Sequence, residues 1–484
     1  RDRGVNKEPQ QSDFYNRLLM CSVMNQPISK LIFRAYDIRG LYNKDISPDI
    51  FYKIGLAAGT YVKHTMRGTH ITVGGDIRQS SQSLAHAFIA GVTATGIHIT
   101  YTATTSFGQT LFTGGTLKSD LIAFVTASHL PPEWNGIKFY YGDGVGFPEE
   151  NLMAIRDLVL RDSFELASWD HIGQVTTVDA KRDYQDFFTS RFKFKRKLTV
   201  VLDCGGASMT LSAPEIFTAL GFHVLPVFCD PDPSFSKRPS DPKPKNLKAL
   251  VETMKKNPCD FGVAFDGDGD RAVIVDNTGQ ILSADLTGII IGKYGLKKKQ
   301  GTIIVNVECS KSIKEQLQPL GYTIKQIQVG HTFLTLEAKH TKALLGIESS
   351  GHLIIPEYFL FDDALVVPLK IARILDTVNR PLHDLVMECP SYPTRKEEIE
   401  CADDLKFDVI EQLKQDLTKE YEQVNTMDGV RVDFKDGWVL IRASNTSPII
   451  RLTVEADTTT ILQELSTRFL KKTQDIIQQK KPMK

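Results

Sequence analysis

The chain has 484 residues, too many for one ordinary domain and enough for about three at roughly 150 residues each. Hydrophobic residues at 42% fit a globular enzyme able to bury its own core, and 58 Lys+Arg against 58 Asp+Glu leave no net charge, which excludes a generic nucleic-acid binder. No apolar run is long enough to cross a bilayer, and the 7 cysteines, odd in number and without a C-x-x-C pair, argue against a disulfide framework or a zinc site and for a reducing cytoplasm.

Residues 1–28 are polar and irregular, with acids offsetting the basic residues, so a flexible extension is expected there rather than a signal or transit peptide. Beyond it one pattern recurs three times. The run 71–75 (ITVGG) reads as a buried strand, followed by an Asp/Arg/Ser turn, a helix over 82–94, Gly96 and a strand over 97–102. The order returns as 199–203 (TVVLD), a helix over 212–220, Gly221 and a strand over 222–227, and again as 302–307 (TIIVNV), a helix over 311–318, Gly321 and a strand over 322–328. Strand, polar turn, helix, glycine stop and strand spell a parallel sheet covered by helices. The long interval predicts three related α/β domains, over 29–190, 191–298 and 299–391, rather than a solenoid. The basic runs 193–197 and 297–299 suit the boundaries. A fourth region, 392–484, reads as a helix over 404–420, strands over 438–442 and 449–455, and a final helix with Ile461, Leu462, Leu465, Phe469, Ile476 and Ile477 on one face.

Four loops carry the chemistry. After the apolar run 121–125 comes TASHLPPEWNGIK, which puts Ser128 at the carboxyl end of a strand, where open α/β sheets place ligands, with Lys138 ten residues on. Ser128 and His129 are neighbours in sequence, and such neighbours seldom point at one another; locally Ser128 also reads as an N-cap or turn residue. The sharpest signal is Asp266-Gly-Asp268-Gly-Asp270-Arg271 between two short apolar runs. Three carboxylates so close repel by several kcal/mol per pair at an effective dielectric of about 20, and a hard cation answers that repulsion. An EF-hand is excluded, since Arg271 stands where that loop needs Gly and Asn277 where it needs Glu; three protein carboxylates suit Mg²⁺. The third loop, Gly346-Ile-Glu348-Ser-Ser350-Gly-His352, offers groups for sugar hydroxyls. The fourth, Arg442-Ala-Ser444-Asn445-Thr446-Ser-Pro-Ile-Ile-Arg451, gathers hydroxyls, an amide and two arginines, as a phosphate site requires.

In this order, and with the opening Phe33-Arg-Ala-Tyr36-Asp-Ile-Arg39-Gly40, the loops resemble the α-D-phosphohexomutase family, most of all its phosphomannomutase/phosphoglucomutase branch. The resemblance implies three related α/β domains with mixed sheets and a smaller C-terminal α+β domain around a central cleft. It implies that Ser128 carries a phosphoryl group and, with Asp266, Asp268 and Asp270, binds Mg²⁺. Lys138, Arg271, His331 and His352 would surround the reacting oxygens, with His331 first and Lys138 second as proton carriers. Glu348 and Ser350 would bind the sugar, Tyr36 and Arg39 would line the cleft, and Arg442, Ser444, Asn445, Thr446 and Arg451 would grip the other phosphate. The implied reaction exchanges hexose 1-phosphate and hexose 6-phosphate through a hexose 1,6-bisphosphate. The expected partners are small-molecule sugar phosphates, with no membrane, and the protein is a monomer or dimer. Two residues depart from the family pattern: Leu130 replaces a usual Asn and Ile347 a usual Gly. A catalytically silent relative and a phosphoglucosamine mutase are the alternatives; the latter branch typically has SGT where this chain reads SNT.

Overall fold

The computed structural model describes residues 28–298, 300–444 and 448–480. All of the expected N-terminal extension except Ile28, and the loop residues Asn445 and Thr446, lie outside the described residues. Four sheets follow one another along the chain. The first has β1 (Asp37–Leu41), β2 (His70–Gly75), β3 (His98–Thr104), β4 (Leu121–Val125), β5 (Trp134–Tyr141) and β6 (Val175–Thr177) in the order β1-β5-β4-β2-β3-β6. The second has β7 (Thr199–Asp203), β8 (His223–Val227), β9 (Phe261–Phe265) and β10 (Ala272–Asp276) in the order β10-β9-β7-β8. In the third, β11 (Gly301–Asn306), β12 (Tyr322–Ile327), β13 (Leu345–Ile347) and β14 (Leu353–Ile354) run β12-β11-β13-β14. The last is β15 (Thr394–Glu400), β16 (Val424–Asn425), β17 (Val430–Phe434), β18 (Gly437–Ala443) and β19 (Ile449–Ala456), antiparallel throughout in the order β15-β19-β18-β17-β16.

The first three sheets share one wiring. In each, the first strand of the repeat (β2, β7, β11) pairs in parallel with the second (β3, β8, β12) and the third (β4, β9, β13). The fourth strand (β5, β10, β14) then returns antiparallel beside the third. The repeat expected from the sequence is therefore present, as are mixed sheets and an α+β C-terminal unit. Buried strands such as β4 and β9 are apolar at nearly every position because helices cover both faces. The first unit closes its own core around Phe51, Phe88 and Phe139. The second and third share a single core, in which Phe217 and Phe265 belong to one cluster with Ile303, Leu345 and Leu369. The antiparallel sheet packs under helices Lys406–Glu420 and Thr459–Lys480 in a core of its own, with Leu465, Phe469, Ile476 and Ile477 buried and Ile461 and Leu462 half-buried against them.

Candidate active site

In each α/β repeat the turn from the third strand into the antiparallel fourth carries the polar residues singled out above: 126–133 between β4 and β5, 266–271 between β9 and β10, and 348–352 between β13 and β14. Equivalent wiring thus delivers three different loops to one place. Lys138 lies on β5, directly opposite Asp37 of the added edge strand β1, which explains why the Tyr36–Arg39 stretch borders the same cleft.

Ser128 is buried and holds a left-handed backbone (φ +52°), a conformation that costs a non-glycine residue on the order of 1–3 kcal/mol. It is a turn residue, not an N-cap. Buried Arg78 keeps it there, donating to the carbonyl oxygens of Ser128 (2.7 Å), Leu130 (2.8 Å), Pro131 (2.6 Å) and Trp134 (3.1 Å), while its Nε pairs with Asp76 at 2.9 Å. Ser240 Oγ also donates to the Leu130 carbonyl, at 3.0 Å, so the main chain of this loop is held without the amide that an Asn at 130 would add. One expectation is reversed: Ser128 Oγ lies 3.2 Å from His129 Nδ1. Burial, reinforced by Arg271 and Arg39, pushes His129 down to about 2, so its imidazole is neutral.

The aspartate loop lies against the serine loop. A Cβ at Gly267 would come within 2.3 Å of the Ser128 carbonyl oxygen, so that approach requires glycine. Asp266 is oriented by its own turn, accepting from the N–H groups of Gly269 (3.0 Å) and Arg271 (3.2 Å), and its Oδ2 lies 3.5 Å from Ser128 Oγ. Lys138 Nζ donates to Asp268 (3.0 Å) and Asp270 (2.7 Å), and Arg271 Nε to Asp266 (3.0 Å). Burial, then Asp270 and Asp268, push Asp266 well above the ordinary carboxylate range. Burial also acts on Asp270, but Lys138, His352 and Arg271 outweigh it and hold that carboxyl well below the range. Carboxylate oxygens of the three aspartates lie within 4.8 Å of one another, and among the described residues Asp268 Oδ1 and Asp270 Oδ1 are buried without a hydrogen-bond partner, although Arg271 and His352 lie 3.7 and 3.9 Å from the latter. A buried, mutually repelling trio with unpartnered oxygens fits a hard divalent cation. A second grouping, Asp270, His352 and Asp362, is compact as well, but His352 Nδ1 is engaged by Asp362.

The third loop folds over this cluster. Glu348 is buried, accepting from Ser350 Oγ (2.6 Å) and from Gly330 N (3.0 Å), and the Ser350 carbonyl accepts from Arg271 Nη1 (3.3 Å). His331 begins the helix His331–Thr341, and its ring stacks on that of His352 with centroids 5.4 Å apart. The two imidazoles differ in charge. Burial pushes His331 down to about 4, leaving it neutral near pH 7, whereas Asp270 and Asp362 overcome burial at His352 and raise it to about 9. Burial also opposes the Lys138 ammonium, but Asp268 and Asp270 prevail and keep it charged. Tyr36 stands edge-on to His331 and donates from its hydroxyl to the Val329 carbonyl (3.1 Å), while Arg39 pairs with Asp37.

The fourth loop joins β18 to β19. Arg442 and Arg451 are direct cross-strand partners, like charges whose repulsion is offset by nearby carboxylates and which an anion could bridge. Arg442 Nη1 is 3.4 Å from Asp428, Arg451 Nε is 3.5 Å from Glu398, and buried Ser444 donates its N–H to the Ile449 carbonyl. Arg442 connects to the rest of the cleft through Asp428 rather than by direct contact with the serine loop. The sequence reading passed over Arg78 and Asp76, noted only as part of a turn, and over Asp362 and Asp428. The one signal for the first pair was two opposite charges directly after a buried strand; Asp362 meets His352 from the loop ten residues on, outside the third motif, and Asp428 acts on Val329, 99 residues away along the chain.

Comparison with known proteins agrees with this layout. The profiles described as phosphoglucomutase/phosphomannomutase α/β/α domains I, II and III match residues 30–166, 182–279 and 283–392, and that for the C-terminal domain matches 399–472. A Pseudomonas aeruginosa phosphomannomutase/phosphoglucomutase is 33% identical over 90% of this chain and 94% of its own. A probable phosphoglucosamine mutase of Methanopyrus kandleri is 32% identical over 90% of this chain and 96% of its own. A crystal structure of a family protein from Burkholderia thailandensis superposes with a TM-score of 0.86 at 27% identity, covering 93% of this chain and 98% of that one. With four successive domain matches and three equivalent turns meeting in one cleft, the chain belongs to the phosphoglucomutase/phosphomannomutase family of the α-D-phosphohexomutases.

Proposed function

We propose that the protein interconverts hexose 1-phosphate and hexose 6-phosphate, with mannose, glucose or both as the sugar, through a phosphorylated Ser128. The observation that carries this reading is the placement of a strained, buried serine hydroxyl 3.5 Å from Asp266, beside a carboxylate trio and the cations Lys138, Arg271 and His352. Asp266, Asp268 and Asp270 would hold Mg²⁺, which when bound spreads the charge of the transferring phosphoryl oxygens.

The free sugar hydroxyl attacks the phosphorus on Ser128, the P–Oγ bond breaks, and the hydroxyl proton passes to His331. Neutral His331 suits a proton acceptor: in the tautomer whose Nδ1–H donates to the Tyr140 oxygen, 3.5 Å away, the Nε2 lone pair is the one that would accept. Lys138, Arg271 and His352 stay cationic and serve the phosphoryl oxygens. Glu348 and Ser350 hold sugar hydroxyls, while Arg442 and Arg451 hold the resting phosphate together with Ser444, Asn445 and Thr446. The bisphosphate then turns end for end; the Ser128 oxygen, left as an oxyanion by the first transfer, attacks its other phosphorus, and the sugar oxygen that departs takes the proton back from His331.

Identity of 33% to one named relative and 32% to the other does not separate hexose from glucosamine phosphates. The test is therefore turnover of glucose 1-phosphate, mannose 1-phosphate and glucosamine 1-phosphate side by side, with Mg²⁺ and a trace of sugar 1,6-bisphosphate. Conversion of glucose or mannose 1-phosphate with one phosphoryl group mapped to Ser128 is expected. Conversion of the amino sugar alone would reassign the substrate, and no conversion of any by the folded protein would leave a binding protein as the reading.

A further inference from the structure

The dipeptide Val329-Gly330, which delivers His331 to the cleft, is held by three separate units at once. From the first unit, Tyr36 donates to the Val329 carbonyl at 3.1 Å. From the third, Glu348 accepts from Gly330 N at 3.0 Å. From the fourth, Asp428 Oδ2 accepts from Val329 N at 3.0 Å, and the neighbouring Gln328 donates from Nε2 to the Met427 carbonyl at 3.0 Å. The same Asp428 Oδ2 is the partner of Arg442 Nη1 at 3.4 Å. The local fold makes this meeting possible. Val430 pairs with Ile441 at the end of the β17–β18 ladder, and Gly429 precedes it at φ +70°, so close to Arg442 that an added Cβ would stand 2.7 Å from the arginine Cβ. Asp428 is thereby brought to the guanidinium of one unit and the backbone of another.

We infer that Asp428 is a positioning residue that links the phosphate grip of the fourth unit to the placement of His331. Its charge orients Arg442, and its oxygen anchors the backbone that carries His331. When a phosphate engages Arg442, the guanidinium exchanges a carboxylate partner for a phosphate partner, and Asp428 keeps Val329. This inference rests on the mutase reading only for its kinetic half; the anchoring half is a property of the unliganded protein.

Asp428→Asn retains an oxygen acceptor for Val329 N–H but removes the charge that holds Arg442, whereas Asp428→Ala removes both. The full chain carrying each substitution is assayed with Mg²⁺, sugar 1,6-bisphosphate and whichever of the three sugar 1-phosphates the wild type converts. Asp428→Asn is expected to raise KM about tenfold with kcat within about twofold, and Asp428→Ala to raise KM similarly and also lower kcat about tenfold or more, as the loss of a charge-assisted hydrogen bond implies. Amide exchange across residues 328–331, without ligand, is expected to quicken in Asp428→Ala and not in Asp428→Asn. Equal kcat in the two variants, or wild-type kcat and KM in Asp428→Ala, overturns the inference. An inactive wild type would sink the mutase reading instead, with the exchange data still deciding the anchoring.

Discussion

At the scale of single residues, the backbone of Ser128 restricts what can stand there. A β-branched side chain is poorly tolerated at φ +52°, so Ser128→Thr, despite its retained hydroxyl, should lose activity by 100-fold or more, close to Ser128→Ala; initial rates with priming bisphosphate decide it. His331 gives a pH signature. Its folded pKa of about 4 lies below the ordinary 6.5, so the unfolded chain takes up the proton first. The stability it contributes is complete above pH 6.5 and is lost as pH falls through 4, a difference on the order of 3 kcal/mol. Replacing it with Gln should flatten the stability slope between pH 6.5 and 4 in denaturant titrations, and an unchanged slope would contradict a neutral imidazole at this half-buried position. Ser128 and the aspartates were legible because a strand end and an alternating Asp-Gly run are local patterns. Arg78 was not: its role lies in four carbonyl groups scattered over 128–134, which no local pattern records.

Among elements, the departure at Ile347 shows how a strand absorbs a larger side chain. Ile347 is fully buried in β13, and a Cβ at Gly288 would come within 2.4 Å of its Cδ1, so the absent side chain on helix Ala284–Ile290 makes the room. Gly288→Ala should then destabilise by about 1–3 kcal/mol through overpacking. In an Ile347→Ala background the same change should cost less, a coupling that thermal melts of the four proteins of the cycle would expose; strict additivity would deny the contact. On β18 and β19, the facing Arg442 and Arg451 predict that inorganic phosphate raises Tm and that Arg451→Gln abolishes most of that rise. Helices and parallel strands were readable from apolar runs closed by glycine. The run 272–276 was readable as a strand, but the antiparallel return was not, because an apolar run does not state its direction and β14 has only two residues.

For the whole molecule, the distribution of cores sets which parts can move. The second and third units share one cluster, the first touches the third through Phe107, Tyr140 and Phe361, and the fourth keeps its own core with a small apolar contact through Val307, Trp438 and Leu440. Movement of the fourth unit against a rigid remainder is the expected response to a substrate held by its arginines. Small-angle scattering should show a smaller radius of gyration with a saturating sugar phosphate, and superimposable profiles would count against it. The shared core also bears on biosynthesis. A nascent chain halted before Gly301 has made β7 to β10 but lacks Ile303, Leu345 and Leu369, which complete that cluster. Until the third unit emerges from the ribosome, the second presents an unfinished apolar face, and this is an interval in which the growing chain is open to misassociation.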